Sequence, residues 1–315
     1  MMRLIVFDVG GISIGDEICV EPSIRYAIKL YEGSSNELRV LANHPRIFSH
    51  LNIFVASTPD AVLKGQKPDM VIPCSPYSKT PKGVEIHPFT TYAPTLFIST
   101  VDFSSLFMLR RILPDKDKRP KIVLSNDGLE KLKKLVQPHD TSSLTIVHVG
   151  ATAEDERFIP ASFWNKVIEK LIKLGHTVAV FGSSERGPIA KVNQPVIDLV
   201  DKTDLDTFFA LIANCRLLLT NDSSPVHVAG AFDTPIVVIP TLRHPDRLLH
   251  LRNGSKYYKA RAVYKKLAID DSEFIPERID EIIQQHFTVF PDVYEYLPET
   301  EKVVEAATEL LDWSQ

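Results

Sequence analysis

Cysteine is scarce in this chain: three among 315 residues, Cys19, Cys74 and Cys215, far apart and with no CxxC pair. No disulfide framework can be drawn from them, and a reducing cytoplasm fits. Long hydrophobic runs are also missing. No apolar stretch approaches the 18 or more residues that cross a bilayer, so membrane contact is expected to be peripheral at most. The start, MMRLIVFDVGG, enters a strand-like run with no h-region or small-residue cleavage site, so no export signal is read there. An excess of positive charge is absent too: the formal net charge is -4, which gives no general drive toward nucleic acid. Neither GxGxxG nor the Walker A pattern occurs, which argues against a dinucleotide oxidoreductase or a P-loop NTPase. No internal repeat or low-complexity tract is present.

What remains is ordinary globular composition, 44% hydrophobic and 24% charged, in a chain long enough for two α/β domains. Residues 3 to 9 (RLIVFDV) read as a buried parallel strand leading into a glycine-containing loop. From Pro22 the stretch PSIRYAIKLYEG carries helical spacing and stops at Gly33. Further strands are expected at 38 to 42, 52 to 56 and 69 to 72. Charge, proline and small polar residues cluster around a short helical segment at 114 to 142, where a domain boundary is expected. A second alternation comes next: strand 144 to 150, helix 160 to 175, strand 177 to 182, helix 205 to 214, strand 217 to 220, helix 225 to 231 and strand 235 to 239. The tail repeats apolar residues at Val303, Val304, Ala307, Leu310 and Leu311, predicting a closing amphipathic helix. Strands alternating with helices imply doubly wound sheets. The expected domains are 1–142, 143–298 and a closing helix at 299–315.

Three strings carry chemistry. NDSSPVHVAGA (221 to 231) comes directly after an apolar strand and delivers Asp222, Ser223 and Ser224 to a helix start. The unpartnered first-turn N–H groups there suit a diphosphate. Asp222 and Ser223 would equally serve as plain helix caps, and a lone His227 is commonly a packed residue. ATAEDERFIPASFW (151 to 164) is the loop between a strand end and a helix, where Arg157 would offer a planar fork to phosphate or pair with Asp155 or Glu154. GGISIGDEI (10 to 18) succeeds the first strand. Asp16 is placed there either as a general base at a strand-to-helix loop or as the cap of a helix near residue 18.

At these strings the chain resembles the family-9 glycosyltransferases, typified by ADP-heptose:lipopolysaccharide heptosyltransferases. The resemblance lies in Gly15, Asp16 and Pro22; in Gly150 through Arg157, Pro160 and Trp164; in Glu185 of FGSSER; and in NDSSPVHVAGAFDTPIVVI. It covers about residues 3 to 32 and 144 to 241. The resemblance implies a GT-B architecture, two Rossmann-like domains facing across a cleft, with the acceptor half first and the nucleotide-sugar half second. It also implies an inverting transfer in which Asp16 is the base. Gly15, Thr152, Arg157, Glu185, Asp222, Ser223, Ser224 and His227 would bind the sugar donor: Thr152 and Arg157 at phosphate, Glu185 at the ribose, the 222 to 227 residues at the pyrophosphate. Three positions depart from the family pattern: Arg157 stands for the usual lysine, Ser224 for a common glycine, and Ile239-Pro240-Thr241 for glycine-proline-threonine.

Two Asp-x-Asp strings, Asp115-Lys116-Asp117 and Asp204-Leu205-Asp206, raise the question of a metal. The first falls in the charged linker; the second fits a helix start with Thr203 as cap and Asp206 at the third position. No metal and no cofactor are expected, the nucleotide-diphosphate sugar being a substrate. The acceptor expected from the resemblance is a lipopolysaccharide core or another bacterial surface glycan. Two alternatives stay open. The basic strings LRRILPDKDKRPKI and RHPDRLLHLRNGSKYYKARAVYKK allow a hydroxymethylated DNA base as acceptor. A degenerate fold that binds the nucleotide sugar without turnover is the other.

Overall fold

The structure is a computed structural model of the chain and describes residues 3–10, 13–74, 85–86, 118–151, 157–267 and 293–313. Two compact units divide it, Met1–Val123 and Leu124–Gln315.

In the first unit the apolar run LIVFD forms strand β1 (Leu4–Asp8), buried along its whole length. Helix α1 (Ile14–Tyr31) is next, then β2 (Glu37–Leu41), β3 (Phe54–Ala56), α2 (Pro59–Leu63), β4 (Met70–Pro73) and β5 (Glu85–Ile86). The sheet is parallel in the order β3-β2-β1-β4-β5. The expectation that α1 begins at Pro22 is corrected: the helix starts eight residues earlier and Pro22 lies inside it. Ser13 opens it as N-cap, and Ile18, Cys19 and Val20 in the added turns are buried. Their burial outweighs the one backbone hydrogen bond that proline cannot make. The far end is as expected, with Gly33 at φ +77° just past the helix.

Two buried carboxylates then fasten α1. Glu17 accepts the backbone N–H groups of Asn43 and His44, at 2.6 and 3.2 Å, and lies 2.7 Å from His44 Nδ1. One turn on, Glu21 binds Arg25 Nε at 2.7 Å, His50 Nε2 at 2.8 Å and the backbone N–H of Lys121 at 2.9 Å.

The second unit opens with α3 (Asn126–Val136), then β6 (Leu144–His148), α4 (Ala161–Lys173), β7 (Thr177–Phe181), β8 (Ile197–Asp198), α5 (Leu205–Asn214), β9 (Leu217–Asn221), α6 (Ser224–Phe232), β10 (Ile236–Ile239), β11 (Ala260–Ala262), α7 (Val293–Tyr296) and α8 (Thr300–Trp313). Helix α4 has the expected apolar stripe, with Trp164, Val167, Ile168 and Leu171 buried and Gly175 at φ +87° beyond its end. Helix α8 lays Val303, Ala307, Leu310 and Leu311 against α4 and β10, as its periodicity predicts. The sheet runs β11-β10-β9-β6-β7-β8, all parallel. Numbered within the unit this is the dinucleotide-fold order 3-2-1-4-5-6, whose direction reverses between β6 and β9. Such a reversal leaves a crevice at the carboxyl ends of the two central strands.

Of the two Asp-x-Asp strings, Asp115-Lys116-Asp117 lies outside the described residues. The second does start a helix, though the cap is Asp204 and not Thr203: its carboxylate accepts the Thr207 N–H at 2.8 Å and binds Lys131 Nζ at 2.8 Å. Those contacts hold the Asp204 carboxyl at about 2, below the ordinary range. In the second basic string, Arg243 and Arg252 are buried, and Arg261 binds Glu309 at 3.0 Å. Among the described residues no helix is long and apolar enough to cross a membrane.

Candidate functional site

The carboxyl ends of β7, β6 and β9 carry the residues singled out in the second unit. β6 ends at His148 and continues through Val149 to Gly150, which bridges Ile189. A Cβ on Gly150 would stand 3.2 Å from both His148 Nε2 and Ile189 Cδ1, so the close approach favours glycine there. Arg157 precedes α4, partly buried, and Thr152 lies outside the described residues. After β7, Glu185 is exposed in a turn pinned by its neighbour: Ser184 gives its N–H and its hydroxyl to Asp201, each at 2.7 Å. These hydrogen bonds lower the Asp201 pKa.

Past β9 come Asp222, Ser223 and α6. Ser223 is the N-cap residue of α6, yet its side chain makes no capping bond, and Pro225 has no N–H to give. Asp222 is 5% exposed, and its Oδ2 has no hydrogen-bond partner among the described residues. Neither residue is therefore a side-chain cap of the ordinary kind. Val226 gives its N–H to the Ser223 carbonyl at 3.0 Å, so the N–H groups of Ser223 and Ser224, with the positive end of the helix dipole, are what the helix start presents at the carboxyl edge of the sheet, an arrangement suited to an anion.

His227 sits one turn into α6, with Nδ1 3.0 Å from Nε2 of His250. His250 is 2% exposed and packs on Gly230, where an added Cβ would come within 2.4 Å of the ring. Glycine at 230 thus makes the histidine pair possible. His250 is 23 residues from His227 and carries no sequence signal of its own. The tertiary fold alone brings it there.

Two further residues went unassigned in the sequence, although both end apolar strands. Asn221, the last residue of β9, is 1% exposed. Its Nδ2 donates to the carbonyls of Gly150 at 3.0 Å and Arg157 at 2.7 Å. Its Oδ1 lies 3.1 Å from His148 Nδ1. Burial pushes the His148 pKa down to about 4, against the opposing pull of the Asn221 hydrogen bond, so the ring is neutral at pH 7.

In the first unit the expectation of Asp16 in a strand-to-helix loop is corrected. Gly15 and Asp16 are the second and third residues of α1, and Asp16 completes a capping box with Ser13. Asp16 Oδ2 accepts the Ser13 hydroxyl at 2.8 Å and the Ser13 N–H at 3.4 Å. Among the described residues both bonds fall on Oδ2, and the side chain is only partly buried. Asp8, at the end of β1, is buried and accepts the Gly10 N–H at 3.0 Å.

The sequence profile of glycosyltransferase family 9 (heptosyltransferase) matches residues 102–256, just under half of the chain. Lipopolysaccharide heptosyltransferase 2 of Salmonella typhimurium is 33% identical over 127 residues, covering 33% of this chain and 36% of its own. The matched segment thus spans about a third of the length of such curated relatives. Among solved structures, the family 9 glycosyl transferase from Veillonella parvula aligns with a TM-score of 0.65 at 15% identity, over 98% of this chain and 97% of that one. E. coli ADP-heptose LPS heptosyltransferase II aligns with a TM-score of 0.63 at 16% identity, over 99% of each chain. The fold is accordingly the GT-B one, two parallel doubly wound units in a single chain. Across residues 102–256 this protein is similar in sequence to the family-9 glycosyltransferases, and along its length it is similar to them in fold.

Proposed function

We propose that the protein is an inverting glycosyltransferase that moves a sugar from a nucleoside-diphosphate donor to an acceptor hydroxyl without a metal. The observation that carries the reading is the placement of the family-like strings at the carboxyl ends of β7, β6 and β9, beside the topological reversal of a dinucleotide-fold sheet. The start of α6 would take the diphosphate through its first-turn N–H groups, with Arg157 adding a planar cationic fork. Together they would stabilise the leaving diphosphate in the role a cation plays elsewhere. Glu185 would reach the ribose. The names of the relatives point to ADP-heptose as donor and lipopolysaccharide as acceptor.

Asp16 is the proposed base. Its carboxylate takes the proton of the acceptor hydroxyl as that oxygen attacks the anomeric carbon; the bond from the anomeric carbon to the diphosphate oxygen breaks, and the electron pair leaves with the diphosphate. The capping box supports this role because Ser13 fixes the carboxylate through one oxygen. Asp16→Asn is expected to lower turnover by about 10²- to 10⁴-fold with ADP affinity unchanged. A dialysed enzyme in excess chelator is expected to keep most of its rate in the same sugar-transfer assay. A variant that turns over at the parent rate removes Asp16 from the chemistry, and Asp8 is then the next carboxylate to replace.

A further inference from the structure

We infer that Asn221, oriented by His148, is a positioning residue that ties the two ends of the connection between β6 and α4 into the geometry required for sugar-donor binding. The inference rests on the proposed donor site at the start of α6 and Arg157.

The geometry leaves one assignment of atoms. The two neighbours on one side of the Asn221 amide, the carbonyls of Gly150 and Arg157, can only accept, so the atom facing them must be the NH2 group. Its two protons are then both used, one at each end of the connection. The amide oxygen consequently faces His148, whose Nδ1 must carry a proton and donate at 3.1 Å. The Thr220 hydroxyl lies 3.1 Å from the Asn221 backbone carbonyl and 3.3 Å from His148 Nδ1, consistent with donating to the first and accepting from the second. His148 fixes which way the amide points, and the amide fixes Gly150 relative to Arg157.

His148, Thr220 and Asn221 are buried, so a half-satisfied version of the network would leave polar groups unpaired away from water. It lies between β6 and β9, the pair of strands at which the sheet order reverses. Arg157 itself is the cationic candidate for the diphosphate, and Asp222, the next residue after Asn221, begins the path into α6. A single side chain therefore couples the placement of Arg157 to the strand that leads into the anion-binding helix.

The test uses the full chain and ADP as probe. Backbone hydrogen exchange at the Ala151 amide reads the tie directly, because Ala151 N–H is held by the Pro188 carbonyl at 3.2 Å in the arrangement the tie maintains. In Asn221→Ala that exchange is expected to rise about tenfold. ADP affinity and the donor KM should weaken by about tenfold, with kcat at saturating donor changed by less than about threefold. His148→Leu should reproduce part of both effects. His148→Asn keeps an N–H at the Nδ1 position and should restore both to within about twofold of the parent.

Unchanged exchange in Asn221→Ala overturns the tie. Raised exchange with unchanged ADP affinity overturns the link to the sugar donor and leaves a structural bond only. Failure of the conservative His148→Asn variant to rescue overturns the orienting role of His148. Failure of the parent itself to bind ADP overturns the donor reading, a result separable from the others because the exchange measurement needs no ligand.

Discussion

The two units build the same kind of parallel sheet but fasten the segments beyond its strands by opposite chemistry. In the first, α1 is held by charge: Glu17 and Glu21 are fully buried and direct their oxygens to backbone N–H groups, two histidines and Arg25. In the second, the connection after β6 is held by neutral groups, the Asn221 amide, the Thr220 hydroxyl and an uncharged His148. Each unit is therefore vulnerable in its own way. A buried carboxylate is held by several partners at once, and removing it strands them all. A neutral network tolerates pH down to the point where its buried histidine must take a proton.

The largest expected effect is in the charged unit. Glu21→Ala leaves Arg25, His50 and the Lys121 N–H without their shared acceptor, and should cost about 3 to 5 kcal/mol in denaturant unfolding. A cost under about 1 kcal/mol would erase the contrast between the units.

The neutral unit should respond to acid. The folded His148 titrates near 4 and its unfolded counterpart near 6.5, so between those values the unfolded chain holds the extra proton. The His148 contribution is whole above pH 6.5 and is lost as pH falls toward 4, a total of about 3 kcal/mol. Comparing the pH dependence of unfolding in the parent and in His148→Asn isolates it. Equal slopes over that window would show that the ring already carries charge in the fold.

Next in size is Arg157→Ala. Losing a charge-assisted contact of about 1.5 to 3 kcal/mol should weaken ADP binding by about ten- to a hundredfold. Titration calorimetry decides it, and an unchanged affinity would remove Arg157 from the proposed donor site. The smallest effect belongs to the cap of α5: Asp204→Ala should lower stability by about 1 kcal/mol in a thermal melt at neutral pH. Because its folded pKa is about 2 against an ordinary 3.8, that contribution is present above 3.8 and fades as pH falls toward 2.

Strand and helix placement in the second unit was legible because each element carries its own period. The α5 boundaries come straight from LDTFFALIAN between a cap and a cysteine, and the α8 stripe from Val303 to Leu311. The start of α1 was not legible. A proline usually heads a helix, and only the burial of Ile18, Cys19 and Val20 explains why this helix runs through Pro22. Very short strands such as Ile197–Asp198 and Ala260–Ala262 carry too few residues to show a period.

For the candidate site the division is similar. Asp222, Ser223, Ser224 and His227 could be picked out because a strand, two small hydroxyl residues and a proline-led helix are contiguous in sequence. Local patterns were enough for the α/β alternation and for a helix start directly after the strand at 217 to 220, since periodicity and capping act over a few residues. It took the folded chain to bring His250 to His227 over Gly230, and to join Gly150 to Arg157 through Asn221. Those contacts span 23 to 71 residues of chain, and their partners depend on which strands lie side by side, a global choice that no local pattern encodes.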